Sequence, residues 1–522
     1  MNQPKKTAPR KTGPGAGSRL SESPADELIE YGYKVELQEA RHVFPHELWN
    51  HKAHSIMLYE QGILTRRDVS RILKVLHRIE AMGFKRFPMD PGKGELYYNI
   101  ESFLIEKAGE DAGGRMHSGR SRGDMYVCSE RMILREKILQ LVENTVALIE
   151  TIIGVAARHV QTIMPGYTLL QHAQPTTFAH YLLSFADRFQ RDLDRLQETY
   201  RRVNRSPMGA AISTGSSFPL NRPRMAQLLG FLGVVENTRD AAISRDFTLE
   251  SVTHAAILAS NLSTLADDLN VWCTYEFGLI ELSDAYCSTS TIMPQKKNPS
   301  SLERMRYMSA ECIGNAMTVF AQLKTHSEEL GDLEATGPVA WHALDNAHAV
   351  LRFMRGVLST LIVKKEVMRE RAGANFTQAT QLAETIVLEK GVAFRTAHRI
   401  VGKMVRRCLE EKVSPAEVTA EMLDRAAIEI SGRPLKLKPE TIRKAMDAAY
   451  IVEHRNSLGS PGRGQVTRML RQRSLQMARE KKWLAREQDG LTSAKRLTDS
   501  IARGLMKRRG LRSGWAGRDR TA

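Results

Sequence analysis

Aromatic side chains make up only 6% of the 522 residues, while Leu, Ala, Met, Glu and Arg are abundant, a balance that favours a helical protein over a β-sandwich. Cysteine is scarce and odd in number: Cys128, Cys273, Cys287, Cys312 and Cys408 include no close pair of metal-ligand or redox spacing. No metal is therefore expected, and a reducing cytoplasm is the expected location. The start of the chain lacks the apolar run of a signal peptide, and no stretch reads as a long uncharged membrane span. Acid is missing altogether from residues 1–19, which carry five Lys or Arg among Pro4, Pro9, Gly13, Pro14, Gly15 and Gly17. This composition reads as a disordered arm.

The net charge of +17 invites a nucleic-acid reading, but its distribution argues otherwise. Besides the basic arm, residues 471–522 hold fifteen basic against five acidic side chains, so the body between the ends is nearly neutral. A nucleic-acid or acidic partner is expected only through these tails, where a solvated tail is the simpler reading.

What the sequence has in plenty is helical periodicity. From Asp124 to Ile163 apolar residues recur at helical spacing, and comparable runs occupy Thr177–Asn204, Phe247–Phe277, Ser300–His326 and Val339–Leu361. Helices of that length cannot bury their stripes alone, so they must pack lengthwise as a bundle. Two loops interrupt this pattern. Cys287 to Pro299, CSTSTIMPQKKNP, joins small hydroxyls, a proline turn, two lysines and an Asn-Pro stop. A hydroxyl such as Ser290 becomes a base where fixed positive charge lowers its pKa, and Lys296 lies close by; on composition alone a polar connector also fits. Gly113 to Met125, GGRMHSGRSRGDM, feeds a helix start with Arg120 and Arg122 beside it, either an anion site or a basic surface turn.

These stretches resemble the aspartase/fumarase superfamily, and in particular its argininosuccinate lyases. CSTSTIMPQKKNP is similar to the signature GSSxMPxKxNP, with Ser290, Pro294, Lys296 and Asn298 in place and Thr291 at the second Ser. GRSRGDM resembles the loop HTGRSRNDQ, matching Ser121 and Arg122. MPGYTLLQHAQP is similar to MPGYTHLQxAQP, matching Thr168 and Gln174. ENTRDAAISRDF resembles NSxDAVSDRDF, matching Arg245.

The resemblance implies an all-α subunit of three domains with a central bundle of five long helices, joined in a homotetramer whose active sites collect loops from three subunits. It implies β-elimination without cofactor, metal or membrane, on a small dicarboxylate. Ser290 would take the Cβ proton and Lys296 would stabilise charge, while Ser121, Arg122, Thr168, Gln174, Thr291, Asn298 and Arg245 would bind substrate. The expected boundaries are an arm at 1–19, an N-terminal helical domain at 20–123, the bundle and catalytic loop at 124–362, a small C-terminal domain at 363–471 and a basic extension at 472–522 without family counterpart.

The chain also departs from the pattern. The catalytic His of the family is Leu169, which can neither carry a proton nor donate a hydrogen bond. His172, one helical turn on if a helix has begun there, and His326, where the family has Tyr, are candidate substitutes. Gly331 and Glu334 stand near the family's substrate-binding Gln and Lys, which exchanges positive for negative charge. The default reaction is argininosuccinate to arginine plus fumarate. A lyase for another N-succinyl amine or an aminopolycarboxylate is the nearest alternative, and a non-catalytic binding relative is the alternative of another class.

Overall fold

The computed structural model describes residues 23–326 and 330–507. The arm at 1–19 and the basic stretch at 508–522, with its Trp515, lie outside the described residues. An N-terminal lobe is built on α1 (Lys34–Glu60), α2 (Arg66–Met82) and α3 (Leu96–Ala108). Thr65 caps α2 by accepting the Asp68 N–H, and the apolar stripe Val69, Ile72, Leu73, Leu76 and Ile79 faces the lobe's core.

The middle of the chain forms five long helices: α4 (Arg122–Arg158), α5 (Phe178–Val203), α6 (Asp246–Trp272), α7 (Ser300–Gln322) and α8 (Leu330–Thr360). They pack against one another around one core that runs from Val127 to Met354. On length and composition alone α4 could cross a membrane, contrary to the expectation that no stretch would. Here it lies against α5 and α8, with its apolar side chains in the shared core. Polar contacts fix the helix directions. Arg131, near the start of α4, donates to the carbonyls of Arg202 and Val203 at the end of α5, so the two run antiparallel.

The small C-terminal domain has its own core, centred on α9 (Ala379–Lys390), α10 (Phe394–Glu410) and α11 (Ala420–Ser431). The boundary expected at 472 falls inside one 44-residue helix, α12 (Arg463–Met506). Its Val466, Met477 and Leu484 join the bundle core, whereas Ala494, Ala502 and Leu505 complete the N-terminal lobe. Several of its basic side chains clamp it down: Arg473 pairs with Asp187 at 2.7 Å and Lys481 with Glu150 at 2.9 Å. Much of the expected basic tail is therefore a structural strap, because its charges have partners on the bundle.

Candidate active site

The Cys287–Pro299 loop is closed at its base by a two-residue ladder, β3 (Ser288–Thr289) against β4 (Lys297–Asn298). Above it the Ser290 N–H donates to the Lys296 carbonyl at 3.3 Å, and the Lys296 N–H to the Met293 carbonyl at 3.1 Å. Ser290 Oγ accepts backbone N–H bonds from Ile292 (3.3 Å) and Met293 (3.0 Å). Donors aimed at a hydroxyl oxygen favour its alkoxide over its neutral form. The two lysines divide their tasks. Lys297 is held by Glu281 (3.2 Å) and Asp284 (2.7 Å), whereas Lys296 stands in solvent with no ion pair among the described residues. Thr291 is likewise exposed, and Asn298 lies half-buried in the ladder.

Met164 to Thr177 does not begin a helix. It forms an antiparallel hairpin, β1 (Ile163–Thr168) with β2 (Gln171–Thr177), before Thr177 caps α5. Leu169 and Leu170 form its two-residue tip at φ 53° and 57°, both strongly exposed. This corrects the placement of His172: one helical turn no longer relates it to Leu169. Strand alternation and register set it opposite Tyr167, ring centroids 5.3 Å apart. Burial, with Arg371 adding to it, holds its imidazole below the usual range. Thr168 is exposed beside the tip, and Gln174 is half-buried with its Oε1 lacking a hydrogen-bond partner.

The GRSRGDM loop ends in a capping box at the start of α4. Ser121 Oγ accepts the Gly123 N–H, and Asp124 accepts the Ser121 N–H at 3.0 Å. Gly119, at φ 71°, lets the loop turn into the cap. Arg120 turns inward to His51, with Nη1 to Nδ1 at 3.0 Å, and so supports the loop rather than facing an anion. Arg122 projects outward, pairs with Glu95 and lies over the Tyr98 ring at 5.0 Å. It lines a cavity of about 360 Å³ that also contains Gly331 and Glu334. Three further glutamates, Glu36, Glu39 and Glu47, line this cavity from α1, and nothing in their local sequence marks them out.

Arg245 is not a surface substrate ligand. Its side chain is fully buried, with Nε 3.0 Å from Glu130 Oε2, and Nη1 donates to the carbonyls of Ala242, Ile243 and Ser244. A guanidinium in that position anchors the start of α6 to α4. His326 is exposed just beyond α7 and makes no hydrogen bond or ion pair among the described residues.

The expected site residues fall into two groups. Thr168 and Gln174 lie on the hairpin beyond the C-terminal end of α4, and Ser290, Thr291, Lys296 and Asn298 lie on the loop between α6 and α7 at that same end. Ser121, Arg122 and the Glu334 cavity lie at the N-terminal end of α4, where the Tyr126 hydroxyl donates to the Glu334 carbonyl. At ~1.5 Å per residue, α4 separates the two groups by about 55 Å.

A five-helix core that carries a pinned serine-lysine loop and a threonine hairpin at one end and an arginine cap at the other has the architecture of the aspartase/fumarase class, and the protein is a carbon-nitrogen lyase. Residues 33–314 match the Lyase family model, and residues 376–453 match the argininosuccinate lyase C-terminal model. The chain is 39% identical to the argininosuccinate lyase of Methanocaldococcus jannaschii over 87% of its own length and 92% of that protein's. It is 40% identical to that of Methanothrix thermoacetophila, covering 87% and 91%. Among solved structures, a variant of EDDS lyase with bound fumarate superposes with a TM-score of 0.84 at 30% identity, covering 93% of this chain and 97% of that one. The class II fumarase of Schistosoma mansoni, at 14% identity and a TM-score of 0.67, shares the fold. The chain belongs to the argininosuccinate lyase family.

Proposed function

We propose that the protein converts argininosuccinate to arginine and fumarate by β-elimination, as a cytoplasmic homotetramer whose sites combine the two ends of neighbouring bundles. The reading is carried by Ser290, whose oxygen accepts two backbone N–H bonds in a loop pinned by its own ladder, beside a lysine with no carboxylate partner among the described residues. Thr168, Ser121, Arg122, Lys296 and Asn298 hold the carboxylates of the succinyl half, with Thr291 and Gln174 beside them. Ser290 as alkoxide takes the Cβ proton, and charge spreads onto the adjacent carboxylate, where Lys296 and the fixed donors stabilise it better than in the ground state. The carbon–nitrogen bond then breaks and its electron pair leaves with the guanidine, which regains a proton. A substituted guanidine arrives already protonated, as an arginine side chain is, so departure needs no strong general acid at position 169.

Assembly is supported by distance and by surface chemistry. The two residue groups sit about 55 Å apart on one chain, a gap that an antiparallel neighbour closes. α7 leaves Ile313, Met317 and Phe320 exposed at i, i+4 and i+7, an apolar face suited to another copy. The five cysteines are all unpaired, which suits a reducing compartment.

Fumarate release, followed by its ultraviolet absorbance, tests the assignment. Ser290→Ala and Lys296→Leu should each lower kcat by at least about 100-fold; near-parental turnover by Lys296→Leu would defeat it. Ser290→Ala and Arg122→Leu, each inactive alone, should regain activity when dissociated and reassembled together. Persistent inactivity of the mixture would remove the shared site.

A further inference from the structure

The cavity beside Arg122 has a composition that catalysis at the succinyl end does not use. Its walls carry five carboxylates, Glu36, Glu39, Glu47, Glu95 and Glu334, against one cation, and Glu95 already engages that cation, Arg122. Arg120, deeper in the lobe, is turned to His51. Glu36 and Gly331 stand at the exposed rim. Glu47 lies within at 6% exposure, and its Oε1 has no hydrogen-bond partner. The nearest nitrogen, His51 Nε2 at 3.3 Å, is held neutral by burial and supplies no charge. Burial raises the carboxyls of Glu36, Glu334 and Glu47, the last to about 8, with arginines only partly offsetting it, and so favours their neutral forms until a cation enters to restore the charge. Tyr97 and Trp341 add aromatic surface of the kind that accepts a cation.

Resting on the lyase reading above, we infer that this cavity is a cation-selective subsite for the leaving half of the substrate, fitted to an amine or guanidine whose distal end carries an ammonium and no carboxylate. The distal end of argininosuccinate carries both. Its ammonium suits the acid wall, whereas its carboxylate meets Glu334 and Glu36 with no unpaired cation among the cavity's lining residues. The decarboxylated analogue, N-succinylagmatine, presents the ammonium alone. Its elimination balances as before: the Cβ proton goes to Ser290, the carbon–nitrogen pair leaves with the guanidine, and fumarate and agmatine form. Glu334 and Glu36 are thus specificity-determining residues.

Two measurements on the full-length protein separate this inference from the reading on which it rests. In calorimetry, agmatine should bind on the order of tenfold more tightly than arginine, because a carboxylate facing Glu334 and Glu36 is absent. Glu334→Gln should shrink that ratio and Glu334→Lys should reverse it, with Glu36→Gln as a second variant should position 334 disturb folding. In steady-state assays, kcat/KM for N-succinylagmatine should exceed that for argininosuccinate by a similar factor. Arginine binding as tightly as agmatine, or a preference unmoved by both Gln variants, overturns the subsite. Tight agmatine binding without fumarate release from either succinyl compound supports the subsite and overturns the lyase chemistry. Argininosuccinate turned over in preference to its analogue leaves the lyase intact and overturns the subsite.

Discussion

Breaking the Arg245–Glu130 pair distinguishes a structural arginine from a substrate-binding one. Both side chains are essentially inaccessible, at 0% and 1% exposure, with Nε 3.0 Å from Oε2. The other carboxylate oxygen accepts the Thr248 hydroxyl at 2.6 Å. Glu130→Gln keeps the volume but leaves the guanidinium without its counter-charge. Removing one partner of a buried pair costs ~3–5 kcal/mol, because an uncompensated charge stays behind. Against a total stability of ~5–15 kcal/mol, that loss is large. Urea unfolding at fixed protein concentration should show it as a lowered midpoint. The double replacement Arg245→Met with Glu130→Leu removes both charges and should recover most of the loss, since well-packed apolar substitutes for such pairs are often neutral. At a temperature where Glu130→Gln remains folded, its KM should stay within about twofold of the parent, as expected when uniform substrate binding is untouched. A stability change below ~1 kcal/mol with KM raised more than tenfold would refute this and return Arg245 to the substrate.

Three further outcomes are expected. At Gly356 in α8 an added Cβ would collide with the Tyr286 hydroxyl and ring, just before the catalytic loop, so Gly356→Ala should displace that loop and cut kcat about tenfold or more with little change in helix content by circular dichroism. His46 is held neutral, its pKa lowered to about 3 by burial and nearby cations. Its stabilising contribution is therefore present above ~6.5 and lost as pH falls toward 3, and His46→Gln should flatten stability against pH by ~1.4 kcal/mol per pH unit near pH 5, read from urea midpoints. Lys52, 6% exposed, ties Glu80 (2.7 Å) and Asp499 (2.9 Å) together, so Lys52→Met should leave two carboxylates facing each other and speed proteolytic cleavage within residues 490–507.

The long helices were legible because their apolar residues repeat at helical spacing, and their observed ends lie within a few residues of most of the expected ones. α5 starts at Phe178 rather than Thr177 because Thr177 turns its hydroxyl to the His180 N–H as a cap. The α8 run was expected only from Val339, whereas the described helix already holds Leu330–Pro338, with Pro338 inside it. The hairpin at 163–177 escaped because two-residue turns of this kind normally announce themselves with Asn or Gly, whereas here leucines occupy the left-handed positions. The burial of Arg245 was invisible because its partner comes from another helix. The strap α12 was split at 472 because the resemblance to the family ends there, and only the packed structure shows which surface its cations meet. Among the site residues, Ser290 and Lys296 were legible as a pair of types in a loop. The acid wall was not, since Glu36, Glu39 and Glu47 come from α1 and meet Glu334 only through tertiary packing.

One helix links the proposed chemistry to the proposed assembly. α7 begins at Ser300, directly after the Asn298–Pro299 end of the proposed catalytic loop, and its backbone carries the apolar face formed by Ile313, Met317 and Phe320. Scattered exposed apolar side chains need no explanation, but three along one helix face leave contact area that only another surface fills. A neighbour that covers this face fixes α7 from outside, while α6 and α8 fix it from within. The ladder Ser288–Thr289 with Lys297–Asn298 is too short to hold its orientation alone, so its stiffness is borrowed from the helix that follows. In the proposed assembly, a second chain packed on this face would also steady the loop that carries Ser290. Under that proposal, catalytic geometry and subunit association rise and fall together, because both depend on what packs against the outer face of α7.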